Sequence, residues 1–354
     1  MLKRNLFTSE QVSEGHPDKI CDQISDAILD ACLEVDKDSR VAVETLIKNY
    51  YIVVAGEITT KAKLEVEKIV KSVLTRINLK DVDKYQVTNY LFCQSPDIAM
   101  GVDTGGAGDQ GIMFGYACNE TKEGMPLAFS IATKALINLK DLNHPKLCPD
   151  AKSQVTIDYD KNRIDTFLIS TQHLESVSLD EVKEIVTEVM IKTALEYNMN
   201  TDFKKLINPT GRFVIGGSHG DAGVTGRKIV ADTYGGYAKC GGGAFSGKDP
   251  TKVDRSVAYM ARHLAKDIVM KQKWADKCEL QLSYAIGVKE PISININCFN
   301  TAKIKEDEII DYVIKKYDLT PQGIITYLNL KNIKYIETTC YGHFGKNYLT
   351  WEKI

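Results

Sequence analysis

The chain has 354 residues, of which 44% are hydrophobic and 26% are charged, and its formal net charge is −2 at pH 7. This length predicts two or three domains, and a near-neutral charge without clustered Lys and Arg indicates that nucleic acid is not a partner. No apolar run is long enough to span a membrane, and nine scattered cysteines without a CxxC motif predict reduced thiols in the cytoplasm, not a disulfide framework or a zinc site.

The first motif in the chain is SEGHPDK at 13–19, which precedes a predicted amphipathic helix. Backbone N–H groups at the start of a helix are unpaired and attract anions. His16 can donate a hydrogen bond to an anionic oxygen there, and Asp18 can hold a metal that bridges such oxygens. A surface turn with a solvated histidine is the alternative, and this motif alone does not decide between the two. The helix is indicated by apolar residues at helical spacing: Ile20, Ile24, Ala27, Ile28 and Ala31.

A pattern of two strands followed by a helix occurs three times along the chain. The predicted strand pairs are 41–48 with 51–57, 154–159 with 163–170, and 279–289 with 292–299. The helix of the second unit opens at Ser178, where Glu181 completes a capping box, and the helix of the third unit covers 305–317. The pattern predicts the α+β class, with three similar domains of antiparallel sheet plus helices at 1–98, 106–213 and 215–350.

Glu44 and Glu57 interrupt the β-branched runs of the first strand pair, near its outer ends. A charged residue in such a run commonly marks the solvent face of a strand. The strands alone therefore leave open whether these carboxylates bind anything.

Glycine is concentrated in the last third of the chain, where residues 211–247 hold 12 of the 25 glycines. Between Arg212 and Arg255, seven basic residues and four acidic residues leave a local excess of three positive charges. Glycine allows backbone N–H groups to approach a ligand closely, so this stretch predicts an anion cradle with phosphate as the anion. A second glycine-rich stretch, 101–115, predicts a mobile loop followed by close backbone packing.

The pattern Gly242-x-x-x-x-Gly247-Lys248 fits a P-loop until its last position, where Asp249 replaces Ser or Thr. A P-loop requires a preceding buried strand and a hydroxyl for Mg²⁺, and neither is predicted here. A helix is predicted to start at this point, with Asp249 as N-cap and Pro250 at the first helical position. The P-loop phosphotransferase is thus an alternative that this context disfavours.

The chain lacks GxSxG, HExxH and any cysteine with a flanking histidine signature. Many phosphate-binding groups without a protein nucleophile indicate that the substrates react with each other. The protein would then supply positioning and charge stabilisation. The longest motifs are GHPDK at 15–19, GEITT at 56–60, QSPDI at 94–98, GAGDQG at 106–111, DAKSQV at 150–155, NPTGRFVIGG at 208–217, TGRKI at 225–229 and GGGAFSGKDPTKVDRS at 241–256.

These motifs, in this order, resemble the S-adenosylmethionine synthetase (methionine adenosyltransferase) family, and the resemblance runs from Phe7 to Trp351. It implies three similar domains arranged with pseudo-threefold symmetry, active sites shared between the subunits of a homodimer, and a homotetramer built from two dimers. The implied reaction joins the sulfur of methionine to C5′ of ATP and releases triphosphate, which is hydrolysed to pyrophosphate and phosphate. It also implies two Mg²⁺ ions and one K⁺ ion in each site.

The resemblance also assigns roles to residues at matching positions. The implied catalytic residues are His16, Asp109, Lys152 and Lys248. The implied ATP-binding residues are His16, Asp150, Ala151, Lys152, Arg212, Phe213, Asp221, Arg227, Lys228, Ala244 and Lys248, with Phe213 stacked on adenine. The implied methionine-binding residues are Glu57, Gln94, Asp221 and Lys252. Mg²⁺ would be held by Asp18 and Asp254, and K⁺ by Glu44.

Two features depart from the family pattern. Ser218 stands where the family usually has proline, so we expect the turn before Asp221 to be less rigid. The segment between Gln94 and Gly106 is shorter than usual, so we expect weaker closure over the substrates. A non-catalytic nucleotide-binding paralogue is a further alternative, although it would be expected to lack His16, Asp18 or Lys248.

Overall fold

The computed structural model describes residues 5–93 and 106–354, which form an α+β protein. The strands are β1 (Leu6–Val12), β2 (Arg40–Lys48), β3 (Tyr51–Thr59), β4 (Gln86–Phe92), β5 (Gly111–Cys118), β6 (Leu147–Asp158), β7 (Arg163–His173), β8 (Lys204–Ile207), β9 (Gly223–Val224), β10 (Lys277–Tyr284) and β11 (Ser293–Asn297). The helices are α1 (Pro17–Val35), α2 (Val66–Arg76), α3 (Leu127–Asp141), α4 (Leu179–Glu196), α5 (Gly217–Gly220), α6 (Ile229–Asp232), α7 (Val253–Lys266), α8 (Glu306–Lys316) and α9 (Pro321–Tyr327).

Three sheets organise the fold, with strand orders β4–β3–β2–β9, β1–β6–β7–β8 and β11–β10–β5. Their pairing is mainly antiparallel, and β3–β4 and β7–β8 are parallel. Each sheet contains one strand from another part of the chain: β9 pairs with β2, β1 pairs with β6, and β5 pairs with β10. The predicted α+β class is confirmed. The boundaries 1–98, 106–213 and 215–350 stay predictions about chain segments, because the sheets are built across them.

The predicted hairpins and helices are present, although several strand ends differ from the prediction: β6 begins at Leu147 instead of residue 154, and β11 covers Ser293–Asn297 instead of 292–299. β2 and β3 meet at Asn49, whose φ of 51° suits a tight hairpin turn. Ser178 and Glu181 form the predicted capping box at the start of α4. The prediction that a strand continues to residue 289 is wrong, because β10 ends at Tyr284. The backbone beyond it pairs elsewhere: the Gly287 N–H donates to the carbonyl oxygen of Ala107 at 2.8 Å.

The start of α7 also differs from the prediction. The helix begins at Val253 with Lys252 as its N-cap, so the predictions of Asp249 as N-cap and of Pro250 at the first helical position are wrong. The Asp249 carboxylate instead accepts hydrogen bonds from the N–H of Val41 at 2.8 Å and from the N–H of Thr251 at 2.9 Å. A fully buried carboxylate needs such donors, and β2 supplies one of them. Asp249 therefore joins the glycine-rich stretch to β2.

Helix α1 occupies the centre of the molecule, packed between β2 and segments from the end of the chain. It is buried around most of its circumference, including the apolar positions Ile20, Ile24 and Ile28. Helix α7 packs on β5 and β10, and α3 packs on β1 and β6. The first turn of α1 thus lies where elements from distant parts of the chain meet. None of the helices in residues 5–93 and 106–354 is both long enough and apolar enough to cross a membrane.

Candidate active site

His16 is the N-cap of α1, held in an extended conformation before Pro17 at the first helical position. Its Nδ1 accepts a hydrogen bond from the N–H of Asp18 at 3.2 Å. An accepting Nδ1 places the proton of the neutral ring on Nε2. Burial lowers the pKa of His16 to about 3, and the charges of Lys228 and Lys152 add to the effect. At neutral pH, His16 is therefore a neutral hydrogen-bond donor through Nε2.

Asp18 lies in the first turn of α1, beside His16. Burial raises the pKa of its carboxyl, but hydrogen bonds from the Lys228 ammonium and from the N–H of Val224 outweigh this and hold it below its usual value. The Val224 N–H donates to Oδ1 at 2.9 Å, and Lys228 forms an ion pair with Oδ2. Asp18 is therefore ionised and paired with a lysine of the glycine-rich stretch.

Asp150 lies on β6 and is buried. Its Oδ2 accepts a hydrogen bond from the N–H of Gly217 at 2.7 Å, whereas its buried Oδ1 has no hydrogen-bond partner among the described residues. Burial raises the pKa of Asp150 to about 6, against the opposing effects of the Gly217 N–H and the Lys152 charge. A buried oxygen without a donor is costly unless a ligand supplies one. Asp150 is thus suited to accept a hydrogen bond from a bound molecule.

Two charged side chains at the surface complete this set. Lys152 on β6 and Asp221 are exposed, and both act electrostatically on His16 and on Asp150. The neighbouring Ala151 pairs through its backbone with Ser13, which places β6 beside the residues before α1. We call the following residues the His16 group: His16, Asp18, Asp150, Lys152, Asp221 and Lys228.

Lys248 and Asp254 form a second charged unit, which we call the Lys248 pair. The Nζ of Lys248 lies 2.5 Å from Oδ2 of Asp254. The backbone of Lys248 forms a β-bridge with Ala42, which in turn lies opposite Glu57 in the β2–β3 register. Residues 233–252 contain neither a helix nor a strand, so the strand that a P-loop requires is absent before this lysine. Lys248 is therefore attached to the edge of β2 instead of to a phosphate-binding helix.

The other predicted residues lie around these two units. Glu44 and Glu57 are exposed on β2 and β3, and Lys252 is half-buried at the start of α7. Arg227 is exposed next to Lys228. A Cβ at Gly226 would lie 2.4 Å from the Cβ of Ala244, so the loops that carry Arg227 and Lys248 touch each other.

Arg212 and Phe213 connect to the His16 group through the glycines that follow them. Arg212 is exposed and paired with Glu175 at 2.6 Å. A Cβ at Gly216 would lie 3.0 Å from the Phe213 ring, and the next residue, Gly217, donates to Asp150. The Phe213 ring is thus held near Asp150 by a short glycine segment.

Some predicted residues are not joined to either unit. Asp109 is exposed, and its Oδ1 accepts from the N–H of Gln110. Gln94 and the whole of the shortened segment, 95–105, lie outside the described residues. Within residues 5–93 and 106–354, no hydrogen bond or ion pair joins the Lys248 pair to the His16 group. The same residues hold no cluster of three or more side chains that could bind a metal ion without other ligands.

A cleft of about 730 Å³ borders the His16 group. Its wall includes Gly217, which donates to Asp150, and Ala151, which follows Asp150 on β6 and is hydrogen-bonded to Ser13. The cleft is lined further by apolar residues of α3 and by the segment after α2. The candidate site and the cleft therefore share a wall of backbone.

The sequence analysis singled out Asp18 but missed that it begins a row of four carboxylates on α1, the first three of which are buried and the last half-buried. It used Asp18 and the apolar positions of this helix, although an aspartate every fourth residue places the carboxylates on one face. These carboxylates accept hydrogen bonds from backbone N–H groups of the glycine-rich stretch and of the chain near residue 335. The row consists of Asp18, Asp22, Asp26 and Asp30.

Comparison with known proteins identifies the family. Residues 4–96 match the family model for the S-adenosylmethionine synthetase N-terminal domain, residues 104–213 match the central domain, and residues 215–353 match the C-terminal domain. A relative named S-adenosylmethionine synthase, from Fusobacterium nucleatum subsp. nucleatum, is 51% identical over an alignment of 372 residues. The alignment covers 100% of this chain and 97% of the relative. The chain belongs to the S-adenosylmethionine synthetase family.

Proposed function

We propose that the His16 group and the Lys248 pair hold ATP in the site of this methionine adenosyltransferase, and that two copies of the chain complete each site. The observation that carries the assignment is a repeated pairing of lysine with carboxylate beside glycine-rich backbone. Lys228 is paired with Asp18, and Lys248 is paired with Asp254. Ammonium groups bind phosphate oxygens and carboxylates bind Mg²⁺, so each pair offers both ligands that a magnesium–triphosphate complex needs.

The reaction requires no protein nucleophile. A bond forms between the sulfur of methionine and C5′ of ATP while the C5′–O5′ bond breaks, and the bonding electron pair passes to O5′ of the leaving triphosphate. A thioether is nucleophilic without a general base, so the protein has to align the atoms and stabilise the leaving oxygen. In our assignment the Nε2–H of neutral His16 donates to that oxygen.

The nucleoside and the triphosphate take different parts of the site. Asp150 accepts a ribose hydroxyl through its buried Oδ1, and Phe213 stacks on adenine. The triphosphate is neutralised by cations on β6, on the loop before α6 and beside β2. Those cations are Lys152, Arg227, Lys228 and Lys248, with Ala244 at the contact between the last two loops.

The metal assignment agrees with the chemistry of the donors. Mg²⁺ is commonly bound by one or two carboxylates together with substrate phosphates and water, so single carboxylates at Asp18 and Asp254 fit two Mg²⁺ ions. Mg²⁺ held by these carboxylates would supply positive charge that offsets the charge of the leaving group. Glu44 would hold K⁺, and methionine would contact Glu57, Gln94, Asp221 and Lys252. Asp109 would lie near the substrates.

Sharing of the site between two subunits is supported by an exposed sheet face. Leu46, Tyr51, Tyr90 and Phe92 leave between 44% and 68% of their surface exposed on β2, β3 and β4, on the same face as Glu44. Exposed apolar patches of this kind are typical of protein interfaces. A homodimer through this face would bring Glu44 and Glu57 against the partner subunit. Two such dimers would form the homotetramer.

The test is product identification after incubation with ATP, methionine, Mg²⁺ and K⁺. We expect S-adenosylmethionine, pyrophosphate and phosphate by mass spectrometry, whereas a P-loop phosphotransferase would release ADP. Lys248→Ala should reduce both S-adenosylmethionine formation and hydrolysis of added triphosphate. Lys183→Ala, which removes an exposed lysine paired with Asp180 on α4, is the control and should change neither activity. Intact triphosphate hydrolysis in Lys248→Ala would contradict the role of Lys248.

A further inference from the structure

Three successive carboxylates on α1 hold the loops that carry the candidate phosphate-binding cations. They lie one helical turn apart, about 6 Å along the helix axis, and face the glycine-rich stretch. Each accepts a hydrogen bond from a backbone N–H: Val224 to Asp18 Oδ1 at 2.9 Å, Gly226 to Asp22 Oδ1 at 2.8 Å, and Gly247 to Asp26 Oδ1 at 2.8 Å.

The donors stand immediately before the cations. The Gly226 N–H precedes Arg227 and Lys228, and the Gly247 N–H precedes Lys248. Fixing these two amides fixes the backbone from which the three side chains extend. Asp22 and Asp26 are both completely buried, so they act on the cations through the backbone and do not contact a substrate.

Buried cations hold these carboxylates in place. Oδ2 of Asp22 accepts from the ammonium of Lys19 at 2.9 Å. Both oxygens of Asp26 accept from the guanidinium of Arg255 at 2.7 Å. Two-point pairing with a guanidinium fixes the orientation of a carboxylate as well as its position. The acceptors for Gly226 and Gly247 are therefore rigid.

The loops also lie directly against α1 and β2. A Cβ at Gly247 would lie 2.0 Å from the carbonyl oxygen of Val43 and 3.1 Å from the Cβ of Ser25. A Cβ at Gly223 would lie 2.2 Å from the carbonyl oxygen of Pro17. Glycine at these positions is thus required by close backbone approach to α1 and β2.

We propose that Asp22 and Asp26 are positioning residues, which hold the loops of Arg227, Lys228 and Lys248 in the triphosphate-binding arrangement before the substrate arrives. This inference rests on the proposed function, which makes these cations ligands of the triphosphate. Cations that are already in place lose less conformational freedom on binding, and they stabilise the leaving group without rearrangement. Asp30 does not position these loops, because it accepts hydrogen bonds from the N–H groups of Tyr335 and Ile336 instead.

The kinetic test compares Asp22→Ala with Asp30→Ala, since both remove a carboxylate from the same row. We expect Asp22→Ala to lower kcat/KM for triphosphate hydrolysis at least tenfold while the KM for methionine changes less than twofold. Asp30→Ala should leave both within twofold. Asp22→Asn keeps an oxygen that accepts from Gly226 and should recover most of the loss. Equal losses in Asp22→Ala and Asp30→Ala, or equal effects on triphosphate and methionine, would overturn the positioning role.

Hydrogen exchange on the unmutated protein is a second test of whether the loops are ordered before substrate binds. It does not depend on activity or on the folding of a variant. Peptides that cover 223–228 and 244–248 should be protected without ligand, and inorganic triphosphate should add little protection. Rapid exchange that becomes slow only with triphosphate would show that the ligand orders the loops, which would overturn the inference. A protein that forms no S-adenosylmethionine would contradict the proposed function, and the exchange result would still decide the positioning.

Discussion

At the scale of single residues, the site keeps one histidine neutral and one carboxyl difficult to ionise. His16 has a pKa of about 3 because burial and the charges of Lys228 and Lys152 disfavour its protonated form. Asp150 has a pKa of about 6, mainly because burial disfavours its charged form. Neither residue therefore behaves as it would in water, and each leads to a distinct prediction.

His16→Ala is expected to lower kcat for S-adenosylmethionine formation about 100- to 1000-fold, the usual effect of losing one donor to a developing oxyanion. The Kd for ATP should change only a few-fold, because the cations remain. His144→Ala is the matched control, since its Nδ1 also accepts from a backbone N–H two residues later, at 3.3 Å, and it should be active. Steady-state kinetics and ATP titration measure both. A raised KM for ATP with unchanged kcat would make His16 a binding residue only.

Asp150→Asn is expected to lower kcat/KM for ATP about 10- to 100-fold at pH 7.5, because the neutral amide accepts a hydrogen bond more weakly. In the wild type, kcat/KM should fall as the pH drops through about 6, where Asp150 becomes protonated. The variant should lack this step, and the titration of ATP itself is common to both proteins. Parallel pH profiles would contradict the role of Asp150.

Asp150→Asn is expected to lower activity but not to lower the free energy of unfolding. The folded pKa of about 6 exceeds the unfolded value of 3.8, so the ionised carboxylate lowers the free energy of unfolding above pH 6. That penalty disappears as the pH falls toward 4. Asp150→Asn should thus be at least as stable as the wild type in urea at pH 7.5, and its advantage should shrink at pH 5. A less stable variant at pH 7.5 would contradict this account.

At the scale of secondary structure elements, the sequence predicted elements that depend on neighbouring residues, but not the pairing of strands that are distant in sequence. Alternating residues around Asn49 predicted β2 and β3, and Ser178 with Glu181 predicted the start of α4. The start of α7 was misplaced because Asp249 bonds to Val41, which is far away in sequence. The partners of β1 and β5 could not be predicted, because residue periodicity carries no information about which strands pair.

For the candidate site, too, the sequence predicted local features but not the contacts between distant segments. Its motifs located the loops and the charged side chains, because glycine and lysine are recognisable without a structure. Beyond Asp18, the row of aspartates on α1 was missed, since Asp22 and Asp26 act by accepting hydrogen bonds from loops about 200 residues away in sequence. Such contacts leave no local signal apart from the four-residue spacing.

Ser218 on α5 holds the turn before Asp221 by hydrogen bonds of its side chain. Its hydroxyl donates to the carbonyl oxygen of Asn49 at 2.8 Å and lies 3.2 Å from the Tyr85 hydroxyl. Ser218→Ala should lower the free energy of unfolding by about 1–2 kcal/mol. Ser246→Ala is the control, because its buried hydroxyl has no partner among the described residues, and it should cost less than about 0.5 kcal/mol. Urea unfolding measures both, and equal losses would show that the Ser218 bonds contribute nothing.

At the scale of the whole molecule, the exposed sheet face predicts how subunits associate. Leu46→Asp should weaken the homodimer at least tenfold, because it places a charge in the proposed apolar interface. Leu195→Asp is the control, since Leu195 is also exposed, on α4 and away from this face. Sedimentation velocity over a range of concentrations measures the association. If both variants associate like the wild type, subunits meet through another surface.

The exchange of strands between the three sheets determines when each sheet can be completed during synthesis on the ribosome. β1 leaves the exit tunnel first but pairs with residues up to Asp158, so at about 5–20 residues per second it waits roughly 7–30 s for its partner. β2 waits for Val224, and β5 waits for β10, which is made still later. A nascent chain halted before β6 would expose β1 as an unpaired edge, which other chains or chaperones can bind.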